Sequence, residues 1–374
     1  MLRGPFTRVT KCLMHPAVSR NNRQPGVNTG FKRIIDKRQT LHRGQKHLRI
    51  NSVTSMIGAG VLVGISRRQF RIAGRDTGPE FTADCRAQTV DKPVVMGTGK
   101  LLIKVPQTIK VIVEGTLPRF VSAKDIILKV IGDLGVDGAT YCAIEFTGSA
   151  ISALSVEERM TICNMAIEAG GKNGIIAADE KTIEYVRART AKPFECFYSD
   201  DDASYLKVLN YKAEEFVPVV ALPYSPDNMS TAKDASDWKL DRAYIGSCTG
   251  GKLTDFIMAA EVLKDKKVSI DTFLVPATRE VEAAFDAISF EGRTLKQIFM
   301  DAGCIEPAPP SCAACLGGPV DTFGRCNNAE VCVSTTNRNF PGRMGSKDSK
   351  TILASAATAA ASAVAGHIAD PREI

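Results

Sequence analysis

Short apolar runs alternate with helical patterns of apolar residues along the chain from about Gly97 onward. Runs of β-branched and apolar residues that are bounded by Gly, Pro or Asp predict strands. The predicted strands are 109–113, 143–146, 242–245, 271–275 and 331–334. Strands that alternate with helices in this way are typical of α/β proteins with mainly parallel sheets, and we expect that fold class here.

Three helices carry start or stop signals. Ser122 is a candidate N-cap, because apolar residues recur at helical spacing over 126–134. A second helix is predicted to begin at the capping box 155–158 and to end at the glycines 170–171. Residues 354–365 are mostly Ala with Ser and Thr, which predicts a helix packed closely against its neighbours.

Composition places the chain among ordinary globular proteins. Of its 374 residues, 44% are hydrophobic and 24% are charged, which excludes a disordered, collagen-like or coiled-coil chain. The longest apolar run near the start, residues 56–65, is about half as long as a bilayer span needs. We therefore expect no transmembrane helix and no membrane as a partner. Prolines thin the pattern from 190 to 240, and we predict a domain boundary near residue 190.

The basic side chains concentrate at one end of the chain. The formal net charge is +7, but residues 1–75 hold sixteen Lys and Arg against one acid, Asp36. That segment carries +15 and the remainder carries −8. A basic, acid-poor start is typical of an organelle transit peptide, with a disordered basic tail or an error in the gene model as the alternatives. The acidic remainder gives no support to nucleic-acid binding.

Cysteines provide the candidate chemistry. The chain has eleven, and an odd total without a secretory signal argues against a disulfide framework. Cys248 lies in a small-residue turn between a predicted strand and a helix, where free N–H groups and the positive helix end favour the thiolate. Cys312 and Cys315 form a Cys-x2-Cys pair, a spacing that lets two thiolates ligate one inorganic centre.

Three such thiolates fit two kinds of site. A zinc site would need a fourth ligand, for which Cys304, Cys326 and Cys332 are candidates. An iron–sulfur cubane held by three cysteines would leave one iron open to water or substrate, where it acts as a Lewis acid. The spacing alone leaves both alternatives open.

Two arginines occur five residues apart in the loop after the last predicted strand. Arg338 and Arg343, with Asn337 beside them, could clamp a di- or tricarboxylate, because guanidinium groups bind carboxylates bidentately. Asn164 and Glu168 are four residues apart and share one face of a predicted helix. Surface arginines and the solvated flank of an amphipathic helix are the alternatives.

Together these motifs resemble the aconitase superfamily, and within it the large subunits of 3-isopropylmalate dehydratase (isopropylmalate isomerase). The resemblance runs from about residue 96 to the C-terminus. The segments that carry it are 96–101, 161–165 with Glu168, 244–251, 273–278, 310–318 and 333–345. It implies aconitase-like three-layer α/β domains with mainly parallel sheets.

The resemblance also implies a cofactor and a reaction. Cys248, Cys312 and Cys315 would be the metal ligands of a [4Fe-4S] cluster with an open iron. The family reaction removes and restores water, interconverting 2- and 3-isopropylmalate through isopropylmaleate in leucine biosynthesis.

Five further residues receive roles from the same resemblance. Arg338, Arg343 and Asn337 would bind the substrate carboxylates. Glu168 and Asn164 would be catalytic residues in the hydrogen-bonding shell around substrate and cluster.

A partner and a location follow as expectations. In relatives with separate subunits, a small swivelling-domain subunit supplies a serine base. The chain ends at Ile374, where the family's large subunit ends, so we expect such a small subunit as partner in a heterodimer. The expected location is the plastid (chloroplast) stroma, with the mitochondrion as the alternative.

The positions of the histidines differ from the family pattern. The family's first domain normally supplies histidine-containing stretches ahead of residues 96–101. The histidines here are His15, His42, His47 and His367. The resemblance therefore implies that most of the first domain is missing. A non-catalytic iron–sulfur relative is the alternative function, and aconitase or homoaconitase specificity is a third.

The expected domain organisation has three parts. A basic targeting or disordered extension covers residues 1–75, and a remnant of the first domain plus the second α/β domain covers 76–190. A third α/β domain with the cluster cysteines covers 191–374.

Overall fold

The structure is a computed structural model that describes residues 104–290 and 292–374. Its strands form a four-stranded sheet, a six-stranded sheet and a two-stranded ribbon. Predictions on residues 1–103, including the basic extension and three of the histidines, lie outside the described residues. Within the described ranges, none of the helices has both the length and the apolar character needed to cross a membrane.

The four-stranded sheet is parallel throughout, with the strand order β3-β2-β1-β4. Its strands are β1 (Thr108–Glu114), β2 (Ala143–Thr147), β3 (Asn173–Ile176) and β4 (Lys207–Lys212). The sequence predicts β1 and β2 but not the other two. Strand β4 lies at the edge of the sheet with most of its side chains exposed, so it lacks a bounded apolar run.

Four α-helices accompany this sheet, namely α1 (Ala123–Leu134), α2 (Ser149–Ala153), α3 (Val156–Met165) and α4 (Glu180–Arg187). The predicted caps are confirmed, because the Ser122 and Ser155 side chains accept hydrogen bonds from the first turns of α1 and α3. Helix α3 ends earlier than predicted, and a 3₁₀ turn over Ala166–Ala169 continues to Gly170. Gly170 has φ +85°, which glycine adopts without strain.

The six-stranded sheet has the order β6-β5-β12-β11-β7-β8. Its strands are β5 (Val219–Ala221), β6 (Met229–Thr231), β7 (Arg242–Gly246), β8 (Asp271–Val275), β11 (Val331–Ser334) and β12 (Lys350–Leu353), and the separate ribbon is β9 (Ser289–Phe290) with β10 (Arg293–Thr294). Strands β12, β11, β7 and β8 run parallel, whereas β5 and β6 are antiparallel. The predicted strands β7, β8 and β11 are confirmed, and so is the mainly parallel α/β fold class.

Five α-helices belong to this second half, namely α5 (Ser247–Gly250), α6 (Leu253–Leu263), α7 (Arg279–Ala287), α8 (Leu295–Asp301) and α9 (Ala356–Ala365). The residues of α9 from Ala356 to Ala363 are all buried, and α9 packs on α6. Small side chains permit this close approach, so the predicted Ala-rich packing helix is confirmed.

The chain passes from one sheet to the other between Lys212 and Val219. The boundary predicted near residue 190 precedes this crossing, because β4 still pairs with β1. The division into 76–190 and 191–374 stays a prediction.

Candidate active site

The candidate site lies where β7 and β11 end. Strand β7 leads through Gly246 into the short helix α5, and β11 leads through Thr335 into the loop with the two arginines. Thr335 joins the two chain segments, since its Oγ1 donates to Gly246 O at 2.8 Å and accepts from Gly246 N at 2.8 Å. A Cβ at Gly250 would lie 2.2 Å from Thr335 Cβ. Glycine at 250 therefore allows the two segments to meet.

The three predicted ligand cysteines occupy two segments of the chain. Cys248 is half-buried in α5, Cys312 is exposed, and Cys315 is buried in a 3₁₀ turn over Ala314–Leu316. Burial raises the pKa of Cys315; the Arg343 charge opposes that rise, and the charges of Cys248 and Cys312 add to it. The three thiols thus lie within electrostatic range of one another.

A polar side chain from α3 reaches the first of these cysteines. Asn164 Nδ2 donates to Cys248 Sγ at 3.2 Å. A backbone hydrogen bond from Asn337 opposes the rise in the pKa of Cys315. This contact favours the thiolate form of Cys315. Within residues 104–290 and 292–374, no group of three or more His, Cys, Asp and Glu side chains is placed to hold one metal ion.

Glu168 and Arg338 form the charged centre of the site. Arg338 Nε donates to both carboxylate oxygens of Glu168, at 2.9 and 2.7 Å. Burial raises the pKa of Glu168, while the hydrogen bond and charge of Arg338 oppose that rise, together with the charges of Lys124 and Arg343. Three cationic side chains therefore surround one buried carboxylate.

Asn337 connects the loop that carries Arg338 to the helix that carries Cys248. Thr249 Oγ1, in α5, donates to Asn337 Oδ1. This bond ties the arginine loop to the helix that carries Cys248. Arg343 Nε is buried and has no hydrogen-bond partner among the described residues. The site thus contains a cationic donor without an acceptor.

Lys124 is a residue of this region that the sequence analysis misses. It lies in the first turn of α1, is 3% exposed, and its Nζ donates to Thr335 O at 3.1 Å and Thr336 O at 2.7 Å. Burial lowers its pKa to about 8. A lysine between apolar positions of a helix is the signal that could have drawn attention to it.

The structure therefore brings most of the predicted residues to one place. Three contacts link predicted residues directly, namely Asn164 to Cys248, Arg338 to Glu168, and the Asn337 backbone to Cys315. Cys312 lies at the exposed edge of the site. The catalytic, substrate-binding and metal-binding roles of these residues stay predictions.

Comparison with known proteins decides the family. Residues 88–237 and 228–366 match the aconitase family (aconitate hydratase). The chain belongs to the aconitase family. Proteins of this family bind iron–sulfur clusters. The resemblance stated from the motifs is thereby confirmed.

Several relatives of this chain are named as large subunits of 3-isopropylmalate dehydratase or homoaconitase. It is 54% identical to the chloroplastic 3-isopropylmalate dehydratase large subunit of Arabidopsis thaliana, over 76% of this chain and 57% of that protein. It is 48% identical to the 3-isopropylmalate dehydratase large subunit of Campylobacter curvus, over 76% of this chain and 67% of the relative. A probable methanogen homoaconitase large subunit from Methanosarcina mazei is also 48% identical, over 76% of this chain and 70% of the relative. The chain spans little more than half the length of the Arabidopsis protein.

Proposed function

We propose that this chain is the cluster-bearing part of a hydro-lyase that interconverts 2- and 3-isopropylmalate through isopropylmaleate, in leucine biosynthesis. The observation that carries the proposal is the pairing of Glu168 with Arg338 beside the contact of Asn164 with Cys248. A carboxylate, two arginines and a set of thiols at one place match the needs of a dehydration on a carboxylate substrate. Similarity to dehydratase large subunits supports the same proposal.

Cys248, Cys312 and Cys315 are the proposed ligands of a [4Fe-4S] cluster. The donor set fits such a cluster, because the three thiols are free and Cys248 Sγ already receives a hydrogen bond from Asn164. A cubane binds each thiolate at a different iron atom, whereas zinc binds all its ligands at one ion. When bound, the cluster would supply a Lewis acid that polarises the substrate hydroxyl.

Arg338 and Arg343 are the proposed substrate clamp. Glu168 accepts hydrogen bonds only from Nε of Arg338, and among the described residues the two Nη groups make no hydrogen bond. Those groups can bind a carboxylate bidentately while Glu168 holds the guanidinium in place. Arg343 Nε, which is buried and has no hydrogen-bond partner in the described part of the chain, is the proposed second donor for the substrate.

Glu168 is the proposed acid–base residue on this chain, and Asn164 holds Cys248. Burial raises the pKa of the Glu168 carboxyl and Arg338 opposes that rise, and the Glu168 carboxylate oxygens are the proposed atoms that hold and release a proton. The small swivelling-domain subunit is the proposed partner and would supply the remaining base. A carboxylate such as isopropylmalate is the proposed substrate.

A second candidate function rests on the histidines. In the described ranges the chain has one histidine, His367, whose Nδ1 lies 3.1 Å from Ala365 O after α9. The candidate site in the described ranges thus contains no histidine acid. A non-catalytic iron–sulfur relative would show this pattern, since loss of a general acid costs about 10²–10⁴-fold in rate.

An activity assay separates the two candidates. The anaerobically loaded chain is mixed with a dehydratase small subunit, and isopropylmaleate is followed by its absorbance. Turnover that falls by at least about 100-fold in Arg338→Lys supports the hydro-lyase. No turnover by an intact, loaded pair supports the non-catalytic relative. Faster turnover of homoaconitate than isopropylmalate would instead indicate homoaconitase specificity, as in the Methanosarcina relative's name.

The plastid stroma is the proposed location. The chloroplastic name of the Arabidopsis relative supports it, and so does the basic, acid-poor composition of residues 1–75. A fluorescent protein fused behind residues 1–103 should enter plastids. Entry into mitochondria would support the alternative location.

A further inference from the structure

Tyr244 is a fully buried residue whose hydroxyl has no evident role in folding. It lies in β7, and its relative exposure is 0%. Its neighbours Ala243 and Ile245 belong to the main core of the six-stranded sheet, whereas Tyr244 belongs to a small separate core with Ala314 and Met344. Its side chain is therefore on the face of the sheet that carries the cysteine and arginine loops.

The hydroxyl of Tyr244 has no hydrogen-bond partner among the described residues. Burying a hydroxyl without a hydrogen-bond partner destabilises the folded state, so native proteins seldom keep one without a reason. The hydroxyl lies on the same sheet face as the proposed cofactor site.

Two glycines fix the ring. A Cβ at Gly246 would lie 2.9 Å from Tyr244 Cε1, and a Cβ at Gly324 would lie 2.7 Å from its Cδ2. The backbone at Gly246 and at Gly324 thus packs closely against opposite edges of the Tyr244 ring. A side chain at either glycine position would clash with the ring. The phenol cannot turn to find another partner, so its direction is set by the fold.

The surroundings of the hydroxyl are rich in sulfur. Burial raises the pKa of Tyr244, and the charges of Cys315, Cys312, Cys332 and Cys248 raise it further, in that order. Ala314, which packs in the same small core, lies between two of the proposed ligands. Three of the four cysteines whose charges raise the pKa of Tyr244 are proposed cluster ligands.

We infer that Tyr244 Oη donates a hydrogen bond to a sulfur atom of the iron–sulfur cluster, either a ligand thiolate or a bridging sulfide. This inference rests on the proposed function, because it requires the cluster. A hydrogen bond to sulfur stabilises the added negative charge of the reduced cluster and raises its reduction potential. Tyr244 is thus a positioning and tuning residue, and it acts on the cluster without contacting the substrate.

The test compares the wild-type full chain with Tyr244→Phe, both loaded anaerobically. We expect equal iron and sulfide contents and a reduction about tenfold less favourable in Tyr244→Phe, which corresponds to about 59 mV for one electron. Tyr211→Phe is the matched control, since Tyr211 Oη donates to Asp133 in the four-stranded sheet region. It should leave the potential unchanged.

Two results would overturn the inference in distinguishable ways. A wild-type chain that takes up no labile sulfide removes the proposed function and this inference together. A loaded Tyr244→Phe with the wild-type potential removes the inference alone.

Melting temperatures of the cluster-free chains give a second readout in case the variant loads poorly. Because the hydroxyl has no hydrogen-bond partner within residues 104–290 and 292–374, cluster-free Tyr244→Phe should be at least as stable as the cluster-free wild type. A clear destabilisation of the cluster-free variant would assign the hydroxyl a structural role and contradict the inference.

Discussion

Arg338 Nε donates to both carboxylate oxygens of Glu168, at distances of 2.9 and 2.7 Å. Glu168 follows α3 beside the four-stranded sheet, and Arg338 follows β11 of the six-stranded sheet. The ion pair therefore connects the two halves of the fold at the candidate site. Its carboxylate side chain is 4% exposed, so water screens the pair less than it would a surface pair.

A double-mutant cycle with Glu168→Gln and Arg338→Lys tests this connection. We expect a coupling of about 1–2 kcal/mol in the free energy of unfolding, because the geometry is charge-assisted and one partner is buried. Denaturant unfolding of the four proteins measures it. The Arg119–Glu261 pair, whose side chains are 74% and 40% exposed, is the control and should show a much smaller coupling. Equal coupling in both pairs would contradict the account.

Lys124→Met tests the anchor between α1 and the arginine loop. The substitution leaves the buried Thr335 and Thr336 carbonyls without their lysine donor, and we expect a loss of about 1–3 kcal/mol in the free energy of unfolding. Lys129→Met is the control on the same helix, since Lys129 pairs with Asp133 near the surface and should contribute less than about 1 kcal/mol. If both variants lose the same stability, the anchor has no special role.

Asp179→Asn tests an ion pair away from the site. A hydrogen bond from Arg159 is the main cause that lowers the pKa of Asp179 to about 2. An ordinary aspartate in the unfolded chain has a pKa of about 3.9. A depressed folded-state pKa stabilises the fold above about pH 4, and this contribution disappears as the pH falls toward 2.

The melting temperature of Asp179→Asn should therefore lie below that of the wild type at pH 7, and the gap should narrow between about pH 4 and pH 2. Glu180→Gln, next in sequence and with its partner Arg187 well exposed, should show no such gap. A gap that stays constant with pH would show that the charge of Asp179 does not matter.

The sequence predicts strands that form bounded apolar runs, including the edge strand β8, and misses both the exposed edge strand β4 and the interior strand β12. Strands β7 and β11 lie inside the six-stranded sheet and appear in the sequence as bounded apolar runs. Strand β4 is an exposed edge strand, and its pairing with β1 depends on residues about a hundred positions away. Period and composition contain no information on such a partner.

The candidate site likewise combines local motifs, which the sequence reveals, with contacts between distant residues, which it does not. Motif spacing singles out Cys248, Cys312 and Cys315, because their chemistry is local. The Glu168–Arg338 contact joins residues 170 positions apart, and the motifs that contain the two residues do not predict that they meet. Lys124 was missed because its partners are backbone carbonyls, which any residue possesses.

Iron and labile-sulfide analysis of the anaerobically reconstituted chain is the decisive test of the proposed cluster. We expect about four irons and four sulfides per wild-type chain, and loss of sulfide in each of Cys248→Ser, Cys312→Ser and Cys315→Ser. Cys196→Ser, a half-buried cysteine in another part of the chain, should load as the wild type does. A wild-type chain that binds one zinc ion and no labile sulfide would contradict the account.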